Sequence, residues 1–586
     1  MHKALLRRWC DAMLKYQLHD TGDTRLDGGL LCPACMRVHG RSADAILPLV
    51  TQWQTDGDER CLHAAEKLFT WSVNMRRPDG SMNNDTDNSW NGITVFYTNA
   101  LGETLLWYGD KLPAADRDAW TARFAEMAEY LCQNIEKLGG NINYPITCAY
   151  TMALAARLLG GAHFAAKAKQ LADFAVAHIT PDGLLYGEGH CMTTVTPKNC
   201  RPVDLGYNVE ESLPALILYA ELTEDETVRR AVLHTAREHL NFMLPDGGWD
   251  NSFGSRSYKW SWWGSRTSDG CLAGFAALSR HDPAFAPAVQ KNLELLNRCT
   301  HGGLLYGGPM FTTAGEPACI HHTFCHAKAV AALVHDGWQA PAALPRLPSE
   351  TEVGTRYYPT TDTARIAQGS WRATVTGYDY EYEYLPGGHP TGGMVSLLWH
   401  AARGPVLAGS MDPYLQYEPG NMQMPRWQFD ICTTPRIELR RDGKTYCSSN
   451  DLTAALSVGE NETGAGGRLR TAAQDAAGRY DFAVFVTPEK VTVTGCGEDA
   501  GAKFILPVIS PEGENVVWQD ANTVCIGSGS TALTVQADRP LTLPPEYGTP
   551  AHFRRLFNPV GGFQSVVLTL PAEREFTVML KMGDGE

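Results

Sequence analysis

Residues 139–159, GGNINYPITCAYTMALAARLL, carry the pattern that decides the fold: a glycine pair, a polar and aromatic loop, and then a helix. The helical part, 150–159, has apolar side chains on nearly every side, and so does 213–222. Other stretches, such as 164–178 and 227–244, carry an apolar stripe with a period of about 3.6 residues. The alternation of these two kinds of helix predicts two concentric helical layers.

The glycine turn recurs along the first part of the chain. It is found at Asp27-Gly28-Gly29, Asp79-Gly80, Gly139-Gly140, Asp182-Gly183, Asp246-Gly247-Gly248 and Gly302-Gly303. The intervals of roughly 43 to 64 residues each have room for two helices and their loops. Six such hairpins predict an N-terminal (α/α)6 toroid over residues 1–340, which we expect to be the catalytic domain, with the glycine loops gathered at one mouth.

The pattern changes after the proline-rich stretch 341–348, PAALPRLP, which breaks helices and is typical of a linker. Beyond it, apolar residues alternate with a period of two, for example in 372–376, 490–493 and 576–580. Many short alternating segments predict a C-terminal antiparallel β-sandwich over residues 349–586.

Composition and charge exclude several classes of partner. The chain of 586 residues has a net charge of −15 and no basic run, which argues against nucleic acid or an anionic membrane as the main partner. No stretch has the length of a signal peptide core or a transmembrane helix, and the 16 cysteines form no disulfide framework. We therefore expect a cytoplasmic protein with reduced thiols, and a homodimer formed at a sandwich edge is open.

The loops at the predicted mouth are rich in side chains that bind sugars. Amides, carboxylates and aromatic rings suit a hydroxyl-rich ligand, and cations inside an acidic chain suit a sugar carboxylate. Turns, helix caps and a tryptophan core would use the same residue types. The candidates are Asp87, Trp90, Asn143, His190, Tyr207, Glu210, Glu211, Arg256, Lys259, Trp262 and Arg266.

Two chemistries fit these residues, and both act on a uronic acid. Hydrolysis needs two carboxylates that flank the scissile bond, with Glu210 or Glu211 as acid or base and a loop aspartate such as Asp87 opposite. Elimination needs an amide or cation at the uronate and a group that moves protons, and Asn143, His190 and Tyr207 would supply these. The many loop carboxylates favour hydrolysis.

A separate motif, Cys32-Pro33-Ala34-Cys35 with His39, has zinc-ligand spacing. In a closed toroid the last repeat lies beside the first, which would bring Cys319, His321, His322 and His326 near it. One CxxC pair is a weak signal, however, and His39 is as well suited to contact a sugar. We therefore expect no metal and no cofactor.

The sequence resembles the heparinase II/III-like enzymes, which join a helical toroid to a β-sandwich and cleave uronates. Asp182-Gly183 with Glu188 is similar to the family's Asp-Gly-x3-Glu loop with one residue added, and Asn143 lies where the lyases hold a charge-neutralising amide. The strand 389–397 is similar to the family's His-x-Asp-x-Gly strand and starts at His389, with Thr391 in place of the aspartate. The organisation also resembles the β-glucuronidases of glycoside hydrolase family 154.

These features lead to one main prediction and two alternatives. The main prediction is a β-glucuronidase-type glycoside hydrolase that removes a terminal glucuronic acid from a small glycan. Arg256 and Arg266 would hold the carboxylate, Trp90 would supply an apolar face, and Lys259, Trp262 and His389 would add contacts. The alternatives are a polysaccharide lyase that acts by β-elimination and a non-catalytic glycan-binding protein.

Overall fold

The structure is a computed structural model of the chain. It describes residues 1–85, 89–137, 140–189, 192–310, 317–381, 389–409, 433–441, 444–461, 464–472, 479–511, 513–544, 563 and 565–583.

Two layers of helices form the N-terminal part. The inner helices are α2 (Ile46–Asp56), α4 (Thr94–Tyr108), α6 (Asn143–Leu159), α9 (Leu213–Thr223), α11 (Leu272–Leu278) and α13 (Ile320–His335). The outer helices are α1 (His2–Tyr16), α3 (Glu59–Trp71), α5 (Ala114–Asn134), α7 (Ala162–Val176), α10 (Glu226–Leu240) and α12 (Ala286–Arg298). Each inner helix contacts the next, and α13 contacts α2, which closes the ring.

The two layers differ in burial as their sequences predict. Nearly every residue of α4 is buried, as are the first five residues of α9, because these helices are covered by the outer layer on one side and by the ring interior on the other. In α10 the buried residues fall on one stripe, which faces the inner layer. The short α8 (Leu205–Tyr207) and the π-helical segment Asn208–Ser212 lead into α9.

The C-terminal part is built from three antiparallel sheets. Two further two-stranded sheets, called ribbons here, lie in loops of the toroid. The ribbons pair β1 (Trp260–Ser261) with β2 (Gly264–Ser265) and β3 (Thr300–His301) with β4 (Leu304–Leu305). After α14 (Pro348–Thr351), the five-stranded sheet runs in order through β5 (Gly354–Tyr358), β6 (Thr363–Gln368), β7 (Trp371–Thr376), β8 (Met394–His400) and β9 (Gly404–Ala408).

The other two sheets face each other. The four-stranded sheet has the order β11 (Lys444–Cys447), β10 (Arg436–Arg441), β16 (Lys503–Ile509) and β20 (Ser565–Pro571). The eight-stranded sheet has the order β12 (Ala455–Asn461), β13 (Gly464–Ala472), β14 (Arg479–Val486), β15 (Lys490–Gly497), β21 (Phe576–Met582), β19 (Leu533–Ala537), β18 (Thr523–Ile526) and β17 (Val516–Asp520). The ring centre of Phe504, in the four-stranded sheet, lies 4.9 Å from that of Phe576 and 6.0 Å from that of Phe482, both in the eight-stranded sheet. The predicted order, a helical toroid followed by an antiparallel β-sandwich, is confirmed.

The five-stranded sheet contacts the loops of the toroid. Ser396 in β8 lies 2.7 Å from Ser252, oxygen to oxygen, and Thr374 in β7 donates a hydrogen bond to Asp250. Beyond β7, the Tyr378 hydroxyl donates to the carbonyl of Arg201 at 2.7 Å. The β-domain thus covers one side of the mouth. Among the described residues, no helix combines the length and apolar character that crossing a bilayer requires.

Candidate active site

Loops from three different hairpins meet at the mouth of the toroid. The N–H of Asn143, the first residue of α6, donates to Glu188 at 2.9 Å. The guanidinium of Arg256, from the loop after α10, pairs with the other oxygen of Glu188. The N–H of Leu205 donates to Asn251 at 2.9 Å, so the start of α8 is tied to the same loop. Side chains far apart in the sequence therefore share one wall of the mouth.

Glu188 is the buried centre of this wall. It is fully buried, and burial raises its pKa to about 7, although the charge of Arg256 acts in the opposite direction. Its position against the first N–H of α6 also favours a negative charge, because the N-terminus of a helix carries a partial positive charge. Glu188 can therefore gain or lose a proton near neutral pH.

Tyr207 lies between two cations. The Arg256 guanidinium carbon is 3.7 Å from the centre of the Tyr207 ring, and Lys259 Nζ is 3.3 Å from the Tyr207 hydroxyl. Thr267 contacts the same hydroxyl, and its Oγ1 accepts from Lys259 at 3.1 Å. Burial raises the pKa of the Tyr207 phenol above its ordinary value, while Arg256 acts to lower it. Tyr207 is thus a neutral phenol with cations ready to stabilise its anion.

Local backbone structure sets the direction of Tyr207. Asp204 caps α8, and its carboxylate accepts from the Tyr207 N–H at 3.0 Å and from the Asn251 amide at 2.9 Å. The cap and the cross-loop bond together hold the start of the helix in place, which places the tyrosine ring beside Arg256.

Asn143 and Trp90 line the same mouth at different depths. Asn143 is buried, and its Oδ1 has no hydrogen-bond partner among the residues that the structure describes. Trp90 is 36% exposed and lies 5.8 Å from the ring of Tyr144, edge to face. An inward amide and an outer aromatic pair are groups that bind a sugar by its edge and by its face.

Glu210 and Glu211 contact side chains of the ring interior. Glu210 Oε2 lies 2.7 Å from His326 Nε2 and accepts from Ser268 at 3.1 Å and from the Ser265 N–H at 3.2 Å. Both glutamates border a cavity of about 50 Å³. Gly264 passes over Glu210 with φ +153°, and a Cβ there would lie 2.0 Å from the Glu210 carboxyl carbon. Only glycine allows this close approach.

Glu211 belongs to an ion network of the interior. Its Oε2 accepts from the Asp269 N–H at 3.1 Å, and burial, reinforced by the charge of Asp269, raises its pKa well above the ordinary value. Arg41 and Lys328 pair with Asp269 at 2.5 and 2.6 Å. The two glutamates thus contact partners within the protein and do not face each other across a cleft.

The other predicted contacts have varied surroundings. Trp262 is fully buried, donates to Asp246 at 2.9 Å and packs edge-on against Phe563, so it belongs to the core. Arg266 is buried in the same loop, and its backbone N–H donates to the backbone carbonyl of Lys259 at 3.0 Å.

His389 lies on the β-domain side of the mouth. It is buried 5.1 Å from the Tyr378 ring, and burial lowers its pKa. The predicted site residues Asp87 and His190 lie outside the described residues.

Sequence reasoning missed the role of Glu188 as the partner of Arg256. The Asp-Gly-x4-Glu spacing from Asp182 to Glu188 was the available signal. It could not indicate the partner, because Arg256 lies 68 residues further along the chain.

Two groups of side chains have metal-ligand spacing among the described residues. Cys32, Cys35 and His39 place ligand atoms within 4.8 Å of one another, as do Asp44, Asp269 and Cys325. The second group already holds cations of the protein, since Lys328 pairs with both aspartates. The first group consists of two thiols and an imidazole.

Comparisons with known proteins point to one reaction class. The protein-family model for the ulvan lyase N-terminal domain matches residues 6–350. The family model for the ulvan lyase C-terminal domain matches residues 355–582. A broad-specificity ulvan lyase from Formosa agariphila is 36% identical, and the match covers 98% of this chain and 92% of that protein.

Solved structures share the fold. The chondroitin AC lyase of Streptomyces coelicolor A3, in complex with chondroitin sulphate, has a TM-score of 0.55 at 13% identity, covering 100% of this chain and 83% of that chain. A mutant heparan sulfate lyase from Pedobacter heparinus has a TM-score of 0.51 at 11% identity, covering 99% and 83%. The resemblance to heparinase-like proteins is therefore confirmed for the fold.

The predicted glycoside hydrolase is wrong. The family models and the relative from Formosa agariphila are lyases, so the glucuronidase assignment and its paired-carboxylate mechanism are both overturned. The resemblance to glycoside hydrolase family 154 gains no support from these matches. The physical reason for the error is that acidic residues are common both in catalytic pairs and in buried ion networks, and the contacts of Glu210 and Glu211 belong to the second kind.

Proposed function

Because the chain belongs to the ulvan lyase family, we propose that it cleaves a uronic-acid-containing polysaccharide by β-elimination, with ulvan as the substrate. The observation that carries the assignment of the site is the Tyr207 hydroxyl between Lys259 and Thr267, with Arg256 stacked on the ring.

β-Elimination requires a base, a proton donor and a group that stabilises charge on the uronate. A base takes the proton from C5 of the uronic acid, the C4–O4 bond breaks as a C4=C5 double bond forms, and the leaving oxygen takes a proton. Negative charge builds up on the carboxylate during the reaction, so a donor or cation beside that group stabilises the transition state. Water is not consumed.

Tyr207 is the proton donor of this proposal. Its raised pKa keeps the phenol protonated at neutral pH, so the proton is available for the leaving oxygen. Lys259 Nζ at 3.3 Å then stabilises the phenolate that remains. We assign removal of the C5 proton to His190, which lies outside the described residues.

Arg256 and Asn143 bind the uronate in this proposal. The Asn143 side chain is buried and its Oδ1 has no partner among the described residues, so no hydrogen bond to that oxygen prevents the amide from turning to present its N–H groups to the uronate. Arg256 is paired with Glu188, whose pKa of about 7 allows it to take up a proton when a second carboxylate arrives. Protonated Glu188 would release Arg256 to the substrate.

The test uses the purified full chain and ulvan. We expect ultraviolet absorbance of the unsaturated uronate to rise in step with new reducing ends, because each elimination creates one of each. Ulvan whose carboxyl groups have been reduced to alcohols is the matched control, and we expect no cleavage because its C5 proton is no longer acidified. New reducing ends without absorbance, or intact ulvan, would contradict the proposal.

Other aspects of the sequence prediction stay predictions. These are the cytoplasmic location, the homodimer and the lack of nucleic-acid or membrane partners. The expected uronic-acid-containing oligosaccharide is extended here to a polysaccharide, in line with the family.

A further inference from the structure

The loop between α1 and α2 folds its two cysteines toward each other. The Met36 N–H donates to the Cys32 carbonyl at 2.8 Å, and the Cys32 N–H donates to the Arg37 carbonyl at 2.7 Å. Met36 has a positive φ of 56°, which lets the chain reverse within four residues. The turn brings Cys35 back beside Cys32, and the chain then continues to His39.

A fourth side chain reaches this loop from the other end of the toroid. Cys319 directly precedes α13, and its Sγ lies 3.5 Å from Cys32 Sγ and 3.7 Å from His39 Nε2. Cys35 Sγ lies 3.3 Å from the same His39 nitrogen. Cys319 Sγ therefore lies within 3.7 Å of two of the three ligand atoms in the Cys32, Cys35 and His39 group.

The spacing fits a tetrahedral ion. Zinc bonds sulfur at about 2.3 Å and nitrogen at about 2.0–2.1 Å, so the corners of a tetrahedron lie about 3.5–3.8 Å apart. The Cys32–Cys319 separation of 3.5 Å and the Cys319–His39 separation of 3.7 Å fall in this range, and the Cys35–His39 separation of 3.3 Å is slightly shorter. A disulfide is not present, because its sulfurs would lie about 2.05 Å apart. Thiolate and imidazole ligands favour zinc over cations that prefer oxygen.

The orientation of His39 also suits a metal ligand. Its Nδ1 lies 3.4 Å from Asp85 Oδ1, and backbone pairing of His39 with Asp85 keeps the two residues together. Nδ1 has no hydrogen-bond partner among the described residues, but the nearby carboxylate charge favours a proton on Nδ1, which leaves Nε2 as the nitrogen that can bind a metal. Nε2 is the nitrogen that faces the sulfurs of Cys35 and Cys319.

We propose that Cys32, Cys35, His39 and Cys319 bind one structural zinc ion that joins the two ends of the helical ring. Four protein ligands leave no position for water or substrate, so the ion has no catalytic role. The ion links residues 287 apart in the sequence, at the point where α13 meets α2. It would therefore hold the ring closed, and this inference does not rest on the proposed function.

Arg41 connects the proposed zinc site to the mouth of the toroid. Two residues after His39, it donates to the carbonyl of Thr267 at 2.8 Å and pairs with Asp44 at 2.7 Å. Thr267 contacts the Tyr207 hydroxyl. An anchored His39 loop thus supports the wall that carries Tyr207.

The test measures metal in the untagged full chain. After purification under reducing conditions, incubation with zinc and extensive dialysis, we expect one zinc per chain by elemental mass spectrometry. Cys32→Ser and Cys319→Ser should each lower zinc retention by about tenfold or more, because each removes a ligand. Cys148→Ser is the matched control, a buried thiol of α6 outside the cluster, and should retain the full zinc content.

A second measurement does not depend on variants that might misfold. Cobalt(II) bound to the wild-type chain should show the intense visible bands of tetrahedral coordination and a thiolate charge-transfer band. Less than a tenth of a zinc per wild-type chain after incubation, octahedral cobalt spectra, or equal zinc content in the Cys319→Ser variant would each overturn the proposal. A Cys32–Cys319 disulfide in the reduced preparation would overturn it as well.

Discussion

The Tyr207 wall and the Glu210–Glu211 interior are both buried and charged, yet their contacts differ in kind. In the wall, Lys259 approaches a phenol that carries no charge of its own, and Arg256 stacks on that phenol while it pairs with Glu188, whose pKa is about 7. In the interior, Glu210 meets His326, and the cations Arg41 and Lys328 are paired with aspartates. The wall combines a neutral phenol with a carboxyl that titrates near neutral pH, so its cations can respond to a substrate, whereas the cations of the interior are paired with aspartates and stabilise the fold.

The largest effect is expected for Tyr207→Phe, which removes the hydroxyl and keeps the ring under Arg256. We expect kcat on ulvan to fall by about 10²–10⁴-fold, the usual contribution of a general acid, with KM changed by only a few-fold. Initial rates from the ultraviolet absorbance of the product measure this.

Tyr97→Phe is the control, because Tyr97 is a buried tyrosine of α4 whose hydroxyl contacts Ser72. It should keep kcat near wild type. Equal losses in the two variants would show that the Tyr207 hydroxyl has no special role in turnover.

Glu188→Gln is expected to change the pH dependence of stability. Glu188 has a folded pKa of about 7, above its ordinary value, so the folded state holds a proton that the unfolded state releases. The stability of the wild type should therefore fall as pH rises from about 4.5 to 7, by on the order of 3 kcal/mol relative to Glu188→Gln. Denaturant unfolding of both proteins across this range measures the difference. Parallel pH profiles would show that Glu188 is ionised throughout.

Glu210→Gln tests the interior, where we expect an effect on stability and little effect on turnover. Glu210 accepts three charge-assisted or buried hydrogen bonds, so we expect a loss of about 1.5–3 kcal/mol in stability. The loss in kcat should be far smaller than that of Tyr207→Phe. A variant of wild-type stability that has lost turnover would instead make Glu210 part of the chemistry.

The smallest effect is expected for Glu211→Gln. Burial and the charge of Asp269 raise the Glu211 pKa well above its ordinary value and so disfavour its carboxylate, while glutamine has a similar size and an oxygen that can accept the Asp269 N–H. Unfolding midpoint and kcat should both stay close to wild type. A large loss of kcat would identify Glu211 as an ionised catalytic group.

Prediction from sequence succeeded where the signal is local. The all-round apolar pattern of α6 and the stripe of α10 reflect which faces of each helix are covered, and this is written in residues a few positions apart. The alternation of buried and less buried residues in β15 is equally local. Trp262 shows the limit, because it lies in the turn between β1 and β2 and yet contacts Asp246 and Phe563, which are distant in the sequence.

The sequence by itself determined the architecture, since helical and strand periods and repeated glycine turns depend on near neighbours along the chain. Only the tertiary structure decided which charged groups share a site. Glu188 and Arg256, or Cys32 and Cys319, come together because the ring closes and its loops turn to one face. The energy of a buried charge depends on everything packed around it in three dimensions, and no pattern of spacing along the chain contains that information.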